Sequence, residues 1–478
     1  MRIESVLRIT SLLALVVACT NVQTITAPDN TTPPPPPDAE QPEETPPEET
    51  PPAVNPAGVD PVDAPSSGPW TPPKETGAVT FPYTAYRCGY AIRQVSPAKP
   101  TAIFHEDAAG SDAAPKNLHL TIAGNAATSV VVSWSTDDAT KQTEVRFGDS
   151  PDALDKIAHG FSFKAGTRRQ HEAHLCGLPP GKTFYYDAGG DAARSKVHKV
   201  TTAPDGTGEV TILVGGDMRS SPSIWGSMAT SALAHGPTVM FLSGDAVASG
   251  GKQDEWDALF EAAPDLFAEL PAVWAHGNHE ALHELYFQQL ALPDNGGTAR
   301  YVEQWYARTF GPLRLVVLND TVSSSKLLGG AEKQFLETTL GAVDRTRTPF
   351  VVTMHHKPMY TTSANHASDL ELRAEWGPLL AGHQVDWDIA GHVHSYESTE
   401  PIKAGTTTVV AESEGGTRFF NFGGGGAPLY DFSAQASWLR KREKTTGYAI
   451  VKVDATTMTW SAFRSDGSAI ETLEKSRR

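Results

Sequence analysis

The sequence predicts a β sandwich followed by an α/β body of layered β-sheets flanked by helices. Between Asn117 and Ala203, short segments alternate apolar and polar residues between turn formers, the pattern of an all-β sandwich. Beyond Pro204 the pattern changes to apolar runs, the kind buried on both faces of a sheet, separated by helical stretches. Polar residues then follow directly on those runs, at Asp217, Asp245, Asn278, Asn319, His356 and His392. In α/β folds ligands gather beyond the strand C-termini, so these positions are candidates for chemistry.

A chain of 478 residues is long enough for two or three domains. Its 39 Lys and Arg against 56 Asp and Glu give a net charge of -17, which disfavours a nucleic-acid-binding surface, since that needs clustered cations. Much of the excess lies between Thr20 and Glu75, where ten acids face the single base Lys74.

In chain order, Arg2 and Arg8 flank an apolar stretch, Ile9 to Ala18, too short to span a bilayer. Residues 1–18 read as a signal peptide. The small residues before Cys19 resemble the lipobox of bacterial lipoproteins, which implies lipidation of Cys19; an ordinary secretory signal is the alternative. The resemblance implies an exported protein, lipid-anchored at a bacterial cell envelope (periplasm or cell surface) and touching the membrane through its anchor only. Residues 19–77 read as a tether, because 17 of the chain's 36 prolines fall between Thr20 and Glu75 among few apolar groups. Residues 78–114 are expected to pack on the sandwich. Cys88 and Cys176 remain, and in an exported chain a disulfide between them is favoured over two free thiols.

The sandwich spans 115–204, with strands expected at 117–124, 129–136, 143–150, 171–178, 183–190 and 196–203 and Trp134 in its core. With the corner LPPGKTF (178–184) it resembles a fibronectin type III domain, although Phe184 stands where that family often has a tyrosine. The body spans 205–478, with apolar runs at 209–216, 238–244, 272–277, 313–320, 350–354 and 386–391 and a helix over 331–340. The glycine-rich NFGGGGAP (421–428) is expected to form a loop near the site.

The run ends read GGDMR (215–219), SGDAV (243–247), GNHE (277–280), HHKPMY (355–360) and GHVHSYE (391–397). A carboxylate that bridges two ions, with neutral imidazole and amide ligands around it, leaves a net positive site for a phosphate. Together these motifs resemble the calcineurin-like metallophosphoesterases, and within them the purple acid phosphatases, which carry a preceding sandwich too. The resemblance implies one or two metal ions (Fe, Zn or Mn), with Asp245 bridging, Asp217 and His394 on the first ion, and Asn278, His356 and His392 on the second. In the family it resembles, the ligand stands two residues before a proline, which selects His356, two before Pro358, over its neighbour His355. By the same likeness His279 is a proton donor or phosphate-binding group and His366 a substrate histidine.

Two positions depart from that family. The iron-binding tyrosine three residues beyond the bridging Asp is Ala248 here, and the histidine that other members place two residues after the first Asp is Arg219. A guanidinium cannot ligate, so the first site is left with three protein ligands, and Arg219 is assigned to a substrate phosphate. The implied activity is hydrolysis of small phosphate esters by a metal-activated hydroxide, with phosphomonoesters favoured. The alternatives are a phosphodiesterase or nucleotide hydrolase on the same site, and a catalytically weakened surface-binding lipoprotein.

Overall fold

The computed structural model describes residues 59–64, 68–93, 101–294, 302–321 and 330–478. The expected signal peptide, Cys19 and the tether as far as residue 58 lie outside these residues. Among the described residues, no helix is long and apolar enough to cross a membrane.

In the N-terminal sandwich, Ser129–Asp137 is flanked by Lys116–Thr121 and Arg168–Cys176. Alternate residues of a strand share a face, so Val130, Val132 and Trp134 all point into one core. There they meet Val145, Phe147, Phe184 and Tyr186 from the opposing four-stranded sheet. Two short strands, Lys156–His159 and Phe161–Ala165, escape sequence detection. Only Gly160 separates them, yet the first belongs to the four-stranded sheet and the second to the other sheet. A Cβ on Gly160 would lie 2.1 Å from the Glu172 carbonyl oxygen, so the change of sheet at this point requires glycine.

The body has two sheets packed face to face. One contains the parallel strands Val210–Gly215, Val239–Leu242 and Ala272–Trp274, continued by antiparallel Gly447–Val453, Thr457–Arg464 and Ala469–Ser476. The other has the order Tyr306–Phe310, Leu313–Val317, Phe350–Met354, Trp387–Ala390, Arg418–Phe422, Tyr396–Thr399, Leu439–Glu443. Ile212, Phe241, Val352, Ile389, Phe420 and Trp460 fill the space between them. Helix Ala331–Gly341 buries Phe335, Leu336 and Leu340, on one face, against the outer side of the second sheet. The sequence assigns no strand beyond residue 391, and the six C-terminal strands are found only in the fold. A single parallel pairing, Thr121 with Ala272, joins the sandwich and the first body sheet into one eleven-stranded sheet.

One boundary needs correcting. The expected tether ends too late, because residues 59–64 and 68–77 dock on the folded part. Asp60 accepts hydrogen bonds from Thr309 N at 3.0 Å and Arg314 Nη1 at 2.6 Å, and Asp63 accepts from Gly89 N at 2.8 Å and Thr128 Oγ1 at 2.6 Å. The Trp70 ring meets Phe147 edge-on at 4.9 Å. Proline and acid content argue for a solvated chain only while the acids lack partners, and Arg314 is 254 residues away. Cys88 and Cys176 are disulfide-bonded, across a sequence separation of 88 residues.

Arg314 is buried, so removing its partner leaves a charge uncompensated. Asp60→Ala should lower unfolding free energy by about 3 kcal/mol, the low end for breaking a buried pair, as read by denaturant titration. The double change Cys88→Ser with Cys176→Ser releases a long loop and should destabilise by up to about 4 to 5 kcal/mol in the chain-entropy model.

Candidate metal centre

Each sequence-derived ligand sits just past a parallel strand. Asp217 follows Val210–Gly215, Asp245 follows Val239–Leu242, and Asn278 and His279 follow Ala272–Trp274. From the second sheet, His356 follows Phe350–Met354, and His392 and His394 follow Trp387–Ala390. Both sheets thus open on one cluster. Asp217, Asp245 and His392 have φ of 56°, 52° and 64°, a left-handed conformation that costs non-glycine residues of order 1 kcal/mol or more. Local hydrogen bonds hold them there: Asp217 N donates to Gly244 O at 2.9 Å, and His392 N donates to Asp217 Oδ2 at 2.8 Å. A Cβ on Gly277 would come within 2.2 Å of Asp245 N, so glycine lets two ligand loops touch.

His356 is fully buried and its Nδ1 donates to the Ser243 carbonyl oxygen at 2.8 Å. A carbonyl only accepts, so the proton is on Nδ1 and the Nε2 lone pair is free to ligate. That lone pair faces Asn278 Oδ1 at 3.1 Å and Asp245 Oδ1 at 3.3 Å. Three acceptors converge where only a cation can satisfy them. Ligand atoms of Asp245, His356 and His392 all lie within 4.8 Å of one another, a set that suits one ion. Burial alone would depress the pKa of His356, but Asp245 and other nearby carboxylates push it up to about 10, so without a metal the site binds a proton instead. Burial, with His356 and His366 beside it, pushes His392 down to about 3, leaving a neutral ring able to coordinate.

His355 is committed elsewhere. Its Nδ1 bonds Asp320 Oδ2 at 2.9 Å, and its Nε2 lies 3.1 Å from both Asp388 carboxylate oxygens. Burial opposes its charge, yet these carboxylates, Asp388 foremost, raise its pKa to about 10. Asp320 Oδ2 also accepts from His356 N at 3.0 Å, so the pair supports the ligand strand end from behind.

On the other side of Asp245, His394 donates from Nδ1 to Pro428 O at 2.7 Å and points Nε2 at Asp217 Oδ1, 3.3 Å away. Arg219 reaches into this group, with Nε 3.3 Å from Asp245 Oδ2 and Nη2 3.2 Å from His394 Nε2. His279 donates from Nδ1 to the Ala248 carbonyl at 2.8 Å and holds Nε2 3.8 Å from Asp245 Oδ2, its ring about one-third exposed. The His366 ring packs tilted against His392 with centroids 4.2 Å apart. Gly423 and Gly425 of the glycine-rich loop pack on the Asp217 turn, where a Cβ would meet Asp217 Oδ2 at 2.6 Å and Gly216 O at 2.3 Å.

Four contributors carry no sequence signal of their own. Glu280 accepts from Gly277 N at 2.7 Å, Ala246 N at 2.7 Å and Asp245 N at 3.1 Å, and burial, aided by Asp245, pushes its pKa up to about 7. Asp320 and Asp388 orient His355. Tyr430 stacks on His394 at 4.0 Å and places its hydroxyl 3.4 Å from His366 Nε2. Asn319, also at a run end, turns away and donates from Nδ2 to Gln304 Oε1 at 2.9 Å.

Comparison with known proteins places this site. Family models match in three consecutive stretches: the purple acid phosphatase N-terminal domain over 115–202, the calcineurin-like phosphoesterase over 213–396, and the iron/zinc purple acid phosphatase-like C-terminal region over 420–472. The chain is 26% identical to an uncharacterised protein of Mycobacterium tuberculosis over 409 residues, covering 73% of this chain and 77% of that one. Purple acid phosphatase 22 of Arabidopsis thaliana is 25% identical over 402 residues, 78% of this chain and 86% of its own. A purple acid phosphatase from yellow lupin seeds shares the fold, with a TM-score of 0.66 at 18% identity over 76% of this chain and 74% of its own. The fold is that of a calcineurin-like metallophosphoesterase, a metal-dependent hydrolase of phosphate esters. Within that class the chain belongs with the purple acid phosphatase-like proteins, whose family uses a two-metal site.

His356→Ala removes a direct ligand and should abolish metal retention in elemental analysis. His355→Gln should instead keep the ion and lose stability. Because the folded pKa of His355 lies above its unfolded value of 6.5, its stabilisation is complete below about pH 6.5 and disappears as pH rises through about 10. Thermal melts between pH 6 and 10 should show that alkaline decline in metal-free wild type and a weaker one in His355→Gln.

Proposed function

We propose that the chain is a phosphomonoesterase, exported and lipid-anchored through Cys19. The observation that carries the catalytic half is the convergence of His356 Nε2, Asn278 Oδ1 and Asp245 Oδ1 beside the partly exposed His279. Asp245, Asn278, His356 and His392 would hold an ion. A metal bound there supplies a Lewis acid for the phosphoryl oxygen and lowers the pKa of a water.

The chain's own groups do the rest. His279 is oriented by the Ala248 carbonyl so that Nε2, the nitrogen nearer Asp245, is the one that meets substrate; protonated, it donates to the leaving oxygen. Arg219 offers planar N–H donors to phosphate oxygens. His366 and Tyr430 stand together beside Arg219 and the site histidines, walls that suit a small terminal phosphate better than a chain continuing on both sides. The anchor rests on the apolar stretch ending at Cys19 and on the proline-rich segment that follows, which together suit attachment with reach.

His279→Ala should retain its metal while turnover of an alkyl phosphate falls by about 10²- to 10⁴-fold, the usual contribution of a general acid. An aryl phosphate, whose leaving group needs no proton, should lose less. Equal losses on both esters would remove His279 from the proton-donor role, and faster hydrolysis of a diester than of either monoester would overturn the substrate class. Cys19→Ser should move the protein from the membrane to the soluble fraction; unchanged fractionation would overturn the anchor.

A further inference from the structure

We infer that the Arg219 guanidinium takes the place of the first metal ion, so that the working centre holds one ion and one fixed organic cation bridged by Asp245. This rests on the phosphoesterase reading above and concerns what supplies its second positive charge.

The two oxygens of Asp245 face different partners. Oδ1 belongs to the metal-binding set, 3.3 Å from His356 Nε2, whereas Oδ2 lies 3.3 Å from Arg219 Nε. A carboxylate placed to join two ions instead joins one ion site to a guanidinium. Of the remaining donors of the first site, His394 is also taken up. His394 carries its proton on Nδ1, because that nitrogen bonds the Pro428 carbonyl, so its Nε2 lone pair is an acceptor. It sits 3.2 Å from Arg219 Nη2, whose N–H groups only donate. The lone pair that would bind an ion is directed at the guanidinium.

The fit test gives opposite answers for the two sites. On the second-metal side, His356 Nε2, Asn278 Oδ1 and Asp245 Oδ1 face one another with no guanidinium between them. On the first-metal side, an ion about 2 Å from Asp245 Oδ2 and His394 Nε2 would lie within van der Waals contact of guanidinium nitrogens. Arg219 has no acceptor atom with which to bind that ion itself. Nor can it retreat freely, since its side chain is only 15% exposed. The neighbouring position that might add a ligand, Ala248, has no donor side chain, and its carbonyl is used by His279. Asp217 Oδ1 lies 3.3 Å from His394 Nε2 and has no hydrogen-bond partner within the protein.

This arrangement also gives Arg219 a task that an ion would otherwise perform. The guanidinium has five N–H donors, more than His394 and Tyr430 use, and its Nε, ion-paired with Asp245 at 3.3 Å, has no hydrogen-bond partner within the protein. The surplus can bind two oxygens of one phosphate side by side, which a spherical ion does only by expanding its coordination shell.

Metal stoichiometry tests the proposal without reference to turnover. The full chain, stripped with chelator and titrated with Zn²⁺ or Mn²⁺, should saturate at one ion per chain by calorimetry and elemental analysis. Arg219→His, which replaces the guanidinium with a possible ligand, should saturate at two. Arg219→Ala should hold the ion of the His356 and His392 site as tightly as wild type but lose about 10²- to 10³-fold in turnover of a phosphate monoester, the usual cost of a lost charge-stabilising donor. Added guanidinium chloride should recover part of that loss, which a merely structural role would not allow. Two ions per chain in wild type would overturn the proposal, as would a single ion in Arg219→His. One ion in wild type and two in Arg219→His, with no phosphate ester hydrolysed, would uphold it and overturn the phosphoesterase reading instead.

Discussion

Three lone pairs meet at one point in this protein. Asn278 Oδ1 and Asp245 Oδ1 lie 3.1 and 3.3 Å from His356 Nε2, a cluster that only a metal ion, or the proton that takes its place on His356, satisfies. Such a convergence is costly unless a cation fills it, because buried acceptors without a donor lose their water and gain nothing. Much of the surrounding architecture serves to maintain it. Glu280 clamps the Asp245 and Asn278 loops by accepting three backbone hydrogens, and the Asp320–His355–Asp388 triad fixes the strand end from which His356 projects. Left-handed backbone at Asp217, Asp245 and His392 is tolerated because these bonds leave no alternative.

The chemistry is asymmetric across Asp245. One side collects neutral nitrogen and amide donors, the composition that leaves an ion's positive charge largely uncancelled. The other side is occupied by a guanidinium, whose charge is permanent and whose geometry is planar. Protein-bound charge of this kind does not exchange with solvent and does not depend on metal supply. The resulting centre needs less metal than its relatives' family would and keeps two positive charges facing a phosphate.

The N-terminal part is more than an appended module. Its strand Lys116–Thr121 pairs with Ala272, two residues before the end of the strand that leads to Asn278. Residues from Asp60 onward then bind the body's edge through Arg314, and Cys88–Cys176 holds the intervening segment to the sandwich. The ligand loops therefore stand on a sheet that runs through both domains, a rigid base for loops that must hold donors in place.

By itself the sequence determined the order of domains, the parallel strands of the body and the polar residues at their ends. These follow from local pattern: period-two alternation, apolar runs, and Asp, Asn or His directly after them. Even the preference for His356 over His355 came from adjacent residues. Tertiary structure alone decided what has no local period. Asp60 reads as tether until Arg314 is brought beside it from 254 residues away. Glu280, Asp388 and Tyr430 look like ordinary surface or core residues until the strand ends meet. The place of Arg219 was likewise undetermined: the sequence excluded it as a ligand, but only the fold set its guanidinium against Asp245 and His394, because charge placement depends on distances that no spacing along the chain encodes.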